Sequence, residues 1–155
     1  MSKVDKYVAL IPQIQSVLAG ETDEIARMSN LAALLHFEFG FWWTGVYRVV
    51  STDELVLGPF QGPVACTRIK KGRGVCGTSW SEERTLVVPD VEQFPGHIAC
   101  SSESRSEIVV PCRKSGQIVA VLDIDSKELA AFDEVDKEYL EQIVSMLYGE
   151  ECHME

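Results

Sequence analysis

The sequence predicts an α+β domain in which helices at both ends enclose a central antiparallel sheet. Apolar residues recur at helical spacing over the first 40 residues and again after residue 133, whereas the period is two over most of the chain between them. Turn-like segments at residues 51–53 and 114–116 each separate two β-like runs and indicate hairpins. No repeat or linker interrupts the 155 residues, so we expect one domain over residues 1–155.

Two helices are expected before residue 41. Gly20 ends the first helix, and Pro12 is expected to kink or interrupt it. Thr22 caps the second helix, and Gly40 ends it. The apolar face of the first helix comprises Val4, Tyr7, Val8, Ile11, Ile14 and Leu18. The face of the second comprises Ile25, Met28, Ala32, Leu35 and Phe39.

The central part of the chain predicts strands joined by loops. A glycine-rich loop at residues 70–74 leads to a short helical piece that ends at Trp80. Residues 91–106 form a long loop, which is uncommon in a compact domain unless it serves a function. Asp133 caps a last helix with an apolar face. The expected strands cover residues 41–50, 54–60, 64–69, 85–88, 107–113 and 118–125. The face of the last helix comprises Tyr139, Leu140, Ile143, Val144 and Leu147.

The charge of the chain excludes several classes of function. The net charge is −10 at pH 7 and the pI about 4.8, which disfavours nucleic acids and anionic membranes as partners. No stretch reaches the roughly 18 apolar residues of a membrane span, and the N-terminus has no signal-peptide pattern. We therefore expect a cytoplasmic protein whose thiols are kept reduced.

Three of the five cysteines, Cys66, Cys76 and Cys100, lie on predicted loops or strand ends beside glycine- or serine-rich chain. Such thiols are either small buried apolar residues or a redox device, and an odd total argues against a disulfide framework. Cys112 and Cys152 receive no role. We predict no metal site, because the histidines are dispersed and the cysteine spacing does not suit zinc. The histidines are His36, His97 and His153.

Acidic side chains gather at the end of one predicted strand. Asp123 and Asp125 point to the same face of a strand whose inner part is apolar on both faces. If residues 114–116 form a three-residue loop with Gly116 left-handed, Glu107 lies opposite Asp123 on that face. A two-residue turn would send Glu107 to the other face. Three converging carboxyls would raise at least one pKa; alternatively, the strand end emerges into water.

Two further patterns allow more than one interpretation. Residues 72–77 match G-x-G-x-x-G, but no clear βαβ unit follows, so a turn with close backbone approach is favoured over a dinucleotide site. Trp43 and Tyr47 share one face of the first strand. They are core residues or the wall of a pocket suited to sulfur or methyl groups.

Five segments together resemble a GAF domain, and more narrowly the free methionine-(R)-sulfoxide reductases, which are stand-alone GAF domains. The resemblance covers nearly the whole chain, and its narrow signal is the cysteine trio combined with Glu107, Asp123 and Asp125. The segments are RIKKGRGVCGTS at residues 68–79, VPDV at 88–91, SEIVVP at 106–111, VLDIDS at 121–126 and FDE at 132–134.

The resemblance implies a redox mechanism without a bound cofactor or metal. Cys100 would be the nucleophile that attacks the sulfoxide sulfur and becomes a sulfenic acid. Cys66 would then form a disulfide with it, with Cys76 as an alternative or relay partner. Thioredoxin, reduced at the expense of NADPH, would restore the thiols. A homodimer is a further expectation for GAF domains.

The resemblance also implies the substrate and the residues that hold it. Glu107, Asp123 and Asp125 would bind the polar end of free methionine (R)-sulfoxide and help to protonate its oxygen. Trp43 and Tyr47 are the candidates for the methyl pocket. Two other functions stay open: a GAF module that binds a small molecule, and a redox sensor that acts without a substrate.

Overall fold

The computed structural model describes residues 1–97 and 103–148. Cys100 and Cys152, to which the sequence draws attention, lie outside these residues. The helices are α1 (Lys3–Leu18), α2 (Glu24–Phe39), α3 (Gly74–Glu82) and α4 (Glu134–Ser145), with a short 3-10 helix at Val91–Gln93. The strands are β1 (Trp43–Val49), β2 (Glu54–Gln61), β3 (Arg68–Lys70), β4 (Leu86–Val88), β5 (Ser106–Lys114) and β6 (Gln117–Ser126).

The strands form one antiparallel sheet in the order β3-β2-β1-β6-β5-β4. Its two faces are covered by different elements, because successive side chains of a strand point to opposite sides. Ile108, Leu122 and Ile124 pack with α1, α2 and α4 in one buried cluster, whereas Val109 and Val121 pack with α3 in the other. The predicted α+β class is therefore confirmed, and the sheet's two covered faces agree with the apolar inner part of β6.

The helix boundaries correct two expectations and confirm a third. Asp23, rather than Thr22, caps α2, because its carboxylate accepts a hydrogen bond from the Ala26 N–H at 3.0 Å. Helix α1 runs through Pro12 without interruption, and that residue lies on the exposed side of the helix. Gly40, with φ of 68°, ends α2 as predicted.

The core faces of the first two helices are narrower than expected. Val4, Val8 and Ile25 are exposed. Leu10 and Leu31 are buried in their place, within the cluster that covers the helical face of the sheet. None of the helices among the described residues is long and apolar enough to cross a bilayer.

The hairpin between β5 and β6 has a different register from the predicted one. Ser115 and Gly116 have φ of 54° and 81°, and Lys114 pairs with Gln117, so the turn contains two residues instead of three. A bulge follows: Arg113 pairs with Ile118 but Cys112 with Ala120. The turn alone would move Glu107 to the other face, and the extra residue of the bulge returns it.

Candidate active site

A pocket opens on the α3 side of the sheet, where β1, β5 and β6 run side by side. Its lining includes most of the residues that the sequence singles out: Trp43, Tyr47, Cys76, Glu107, Asp123 and Asp125. Cys66 does not line it, although its neighbours Val64 and Ala65 do. The structure therefore brings together thiol, acidic and aromatic side chains that are far apart in the chain.

The register of three strands gathers the carboxyls. Glu107 pairs with Asp125, which pairs on its other side with Trp43. Asp123 lies between Val109 and Gly45. The predicted pairing of Glu107 with Asp123 is wrong by two residues, and the predicted shared face is correct because a shift of two preserves it. The alternative in which the strand end emerges into water does not hold for Glu107 and Asp123, which are 7% and 6% exposed.

Burial and mutual repulsion determine the protonation of this cluster. The pKa of Glu107 is raised well above its ordinary value, first by burial and then by the charges of Asp123 and Asp125. Burial and the Asp123 charge likewise raise the pKa of Asp125, which accepts a hydrogen bond from Ser104 at 3.3 Å. Burial also raises the pKa of Asp123, but the neighbouring Glu107 and Cys76 side chains oppose this shift. The cluster therefore holds its protons to a higher pH than isolated carboxyls do.

Cys76 enters the pocket from the first turn of α3. Its sulfur lies within 4.8 Å of a carboxylate oxygen of Glu107 and of Asp123. Burial raises the pKa of this thiol well above its ordinary value, and the nearby carboxylates add to the shift. Cys76 is therefore held as a neutral thiol, unlike the thiolate that nucleophilic chemistry requires.

The aromatic wall depends on a glycine that the sequence analysis did not single out. The rings of Trp43 and Tyr47 stack with centroids 5.9 Å apart, and the ring of Phe60 also stacks with Trp43, with centroids 5.2 Å apart. A Cβ atom on Gly45 would lie 2.5 Å from the Trp43 ring, so only glycine leaves room for it. A glycine inside a strand often marks such a close approach and could have been noticed.

The same two aromatic side chains hold the loop that carries Cys66. The Tyr47 hydroxyl donates a hydrogen bond to the carbonyl of Cys66 at 2.8 Å, and the Trp43 indole N–H donates to the carbonyl of Pro63 at 2.9 Å. Burial raises the pKa of Tyr47, so the hydroxyl remains a donor. The wall of the pocket is thereby tied to this loop.

The cysteines fall into two chemical states. Cys66 is disulfide-bonded, whereas Cys76 and Cys112 are free thiols. Cys112 is fully buried on the helical face of the sheet, where burial raises its pKa to about 12.

The sequence analysis missed other residues of the pocket, among them Arg73, His97 and Ser104. His97 was considered only as one of three dispersed histidines, because the loop that brings it to the pocket has no periodicity. The glycines of residues 72–77 serve the turn before α3, as expected: Gly72 and Gly74 have positive φ. A Cβ atom on Gly77 would lie 2.4 Å from the carbonyl oxygen of Lys70.

The chain is similar to known proteins of one family. The family model described as GAF domain matches residues 13–148. A protein of Escherichia coli K12 named free methionine-R-sulfoxide reductase is 43% identical, with 95% of this chain and 89% of that protein covered. A protein of the same name from Saccharomyces cerevisiae is 38% identical, with 95% and 86% covered.

The fold is also similar to that of a protein whose structure has been solved. It is the free methionine-R-sulfoxide reductase of Neisseria meningitidis in complex with its substrate, which is 52% identical. The two superpose with a TM-score of 0.94 over 97% of this chain and 90% of that one.

Proposed function

The chain belongs to the GAF domain family and, within it, to the free methionine-R-sulfoxide reductases; on this premise we propose that it reduces free methionine (R)-sulfoxide to methionine. The observation that carries the proposal is a cluster of three carboxyls, the buried Glu107 and Asp123 and the half-buried Asp125, in one pocket with an aromatic wall. A sulfoxide is a poor electrophile until its oxygen is protonated, and the raised pKa values of Glu107 and Asp125 favour the protonated acid that this step needs.

The proposed reaction begins at Cys100, as the family resemblance implies. Its thiolate attacks the sulfoxide sulfur while the cluster protonates the oxygen. The protonated oxygen passes from the substrate sulfur to the Cys100 sulfur as the new sulfur–sulfur bond breaks. Methionine leaves with the electron pair of that bond, and Cys100 becomes a sulfenic acid. Cys66 then attacks this sulfenic sulfur, forming the disulfide and releasing water. A thioredoxin dithiol, supplied by a reducing cytoplasm, returns both cysteines to thiols.

The three carboxyls take different parts in this proposal. Glu107 is the proton donor, because it is nearly completely buried between the two aspartates and its raised pKa keeps the proton. Asp123 keeps one oxygen, Oδ1, without a hydrogen-bond partner among the described residues. That oxygen accepts a hydrogen bond from the ammonium group of the substrate. A methionine inside a peptide has no such ammonium group. The site therefore selects the free amino acid.

The aromatic wall and the Cys66 loop complete the site. Trp43 and Tyr47 present ring surface to the substrate methyl group, a favourable contact for sulfur and its substituents. Both rings also hold the loop that carries Cys66, the proposed resolving cysteine, through hydrogen bonds to its backbone carbonyls. Cys76 is the weaker candidate for resolution, because its pKa is raised and it is buried against carboxylates. A homodimer is proposed from the family resemblance alone.

A coupled assay tests the function. The protein is incubated with free methionine sulfoxide, thioredoxin, thioredoxin reductase and NADPH, and NADPH consumption is followed with each epimer. We expect turnover with the R epimer, none in Cys100→Ser, and near-normal turnover in Cys112→Ser, which replaces a thiol on the other face of the sheet. Absence of turnover in the wild type, or unchanged turnover in Cys100→Ser, would refute the proposal. Binding without turnover would favour a ligand-binding module.

A further inference from the structure

Three side chains from three different elements converge in the pocket with metal-binding atoms. The sulfur of Cys76 on α3 and one carboxylate oxygen each of Glu107 on β5 and Asp123 on β6 all lie within 4.8 Å of one another. The three residues are 4%, 7% and 6% exposed. Once a cation displaces the proton of the Cys76 thiol, the sulfur and the two carboxylates can occupy three positions around that cation.

The second observation is an unsatisfied acceptor inside this group. Asp123 Oδ1 is buried and has no hydrogen-bond partner among the described residues, and Asp123 lines the pocket. No lysine or arginine of residues 1–97 and 103–148 forms an ion pair with Glu107, Asp123 or Asp125. A buried acceptor without a donor is costly unless a ligand supplies the missing positive charge.

We propose that Cys76, Glu107 and Asp123 bind a divalent cation of the zinc class, and that this cation excludes the sulfoxide substrate from the pocket. The sulfur ligand selects a borderline or soft ion over magnesium or calcium, which prefer oxygen ligands alone. Zinc accepts cysteine and carboxylate ligands and is commonly four-coordinate, so a water molecule fills the remaining position. The cation is an inhibitor and takes no part in the reduction.

The cation excludes the substrate because both would use the same atoms of the pocket. The cation occupies Asp123 Oδ1, the oxygen that the proposed function gives to the substrate ammonium group. It also displaces the proton that Glu107 would donate. This part rests on the proposed function, whereas the metal site itself depends only on the three ligands and the unsatisfied oxygen.

The test uses the full-length double variant Cys66→Ser/Cys100→Ser, which has neither of the redox thiols and cannot turn over. It is titrated with Cd²⁺ under anaerobic conditions, and the thiolate-to-metal absorption in the ultraviolet reports a sulfur ligand. We expect one equivalent to bind with this absorption. Adding Cys76→Ser should abolish the band, whereas adding Cys112→Ser, the other described free thiol, should preserve it.

The carboxyl ligands and the competition are tested on the same background. Loss of an outer-shell partner alone costs about 10- to 100-fold in metal affinity, so Glu107→Gln and Asp123→Asn should each weaken binding at least about tenfold. Free methionine sulfoxide should compete with cadmium, so the apparent cadmium affinity should fall as the pocket becomes occupied by the sulfoxide.

Each outcome of these experiments tests a separate part of the proposal. Absence of the band, or an equal band with Cys76→Ser, overturns the metal site. A band that methionine sulfoxide leaves unchanged overturns the competition but keeps the site. Failure of the wild-type reductase assay refutes the proposed function without affecting the cadmium titration, so the two failures are distinguishable.

Discussion

Two groups of buried acids lie on opposite sides of the sheet, and among the residues that the structure describes only the group on the helical side pairs with a lysine. Asp136 on α4 is 1% exposed, and its carboxylate accepts from Lys3 Nζ and from the Tyr7 hydroxyl, each at 2.6 Å. It also accepts from the backbone N–H of Asp133 at 2.9 Å. On the pocket side, Glu107 and Asp123 are almost equally buried, but no ion pair reaches them within the described part of the chain.

The difference separates a structural acid from a functional one. A buried carboxylate with a cation and several donors stabilises a junction, here between α1 and α4. Buried carboxyls without a cation keep protons and leave acceptors open, which destabilises the empty fold and prepares it for a ligand. The two sites should therefore respond in opposite ways when their acids or partners are neutralised.

The largest expected effect is on catalysis at the pocket. Glu107→Gln removes the proposed proton donor while preserving its size, so kcat/KM for methionine (R)-sulfoxide should fall about 10²- to 10⁴-fold. The thioredoxin-coupled assay measures this change. The control is Glu92→Gln on the short 3-10 helix, an exposed glutamate whose change should leave activity intact. A Glu107→Gln enzyme with wild-type turnover would show that another group supplies the proton.

The next effect is on stability at the helical side. Lys3→Met leaves the Asp136 carboxylate buried without its cation and should lower the free energy of unfolding by about 2 to 3 kcal/mol. Removing one partner of a fully buried pair costs roughly 3 to 5 kcal/mol, and the Lys3 side chain is 32% exposed. Urea denaturation provides the measurement.

Its matched control is Lys70→Met, because Lys70 pairs with Asp53 at 3.5 Å where both side chains are more than 60% exposed. Exposed pairs contribute about 0 to 1 kcal/mol. Equal losses in the two variants would contradict the distinction between the buried and the exposed pair.

The smallest effect is a pH-dependent gain of stability at the pocket. Below pH 4.5, the ordinary pKa of a glutamate, Glu107 is protonated in both the folded and the unfolded chain. As the pH rises, Glu107 loses its proton first in the unfolded chain, because its pKa is raised in the folded protein. The free energy of unfolding therefore falls until the pH exceeds the pKa of Glu107 in the folded protein. Glu107→Gln removes this penalty, which is about 1.4 kcal/mol per unit of pKa difference.

The measurement is the melting temperature of Glu107→Gln and wild type from pH 4 to pH 8. The variant should become the more stable of the two as the pH increases. A difference that stays constant across this range would mean that Glu107 titrates normally in the folded protein, and the proposed acid role would lose its physical basis.

Much of the site was predictable from local patterns. Alternation along β1 and β6 placed Trp43 with Tyr47 and Asp123 with Asp125, because a strand has a fixed side-chain period. The resemblance to the reductase family added Cys66, whose disulfide supports the resolving role without testing it. The register of the β5–β6 hairpin was predicted incorrectly, since a two-residue turn and a bulge together mimic the outcome of a three-residue turn.

The sequence by itself determined the α+β class, the element order and the shared face of Asp123 and Asp125, because these follow from local periodicity. The face on which Glu107 lies depended on the turn and the bulge of the β5–β6 hairpin. Only the tertiary structure decided that Cys76, Glu107 and Asp123 meet within 4.8 Å, and that Asp123 keeps an unsatisfied oxygen there. No spacing along the chain encodes that meeting. It arises where α3 packs on the sheet and a one-residue bulge sets the register. Distances between elements of different type, and the burial that sets their pKa values, exist only in the folded chain.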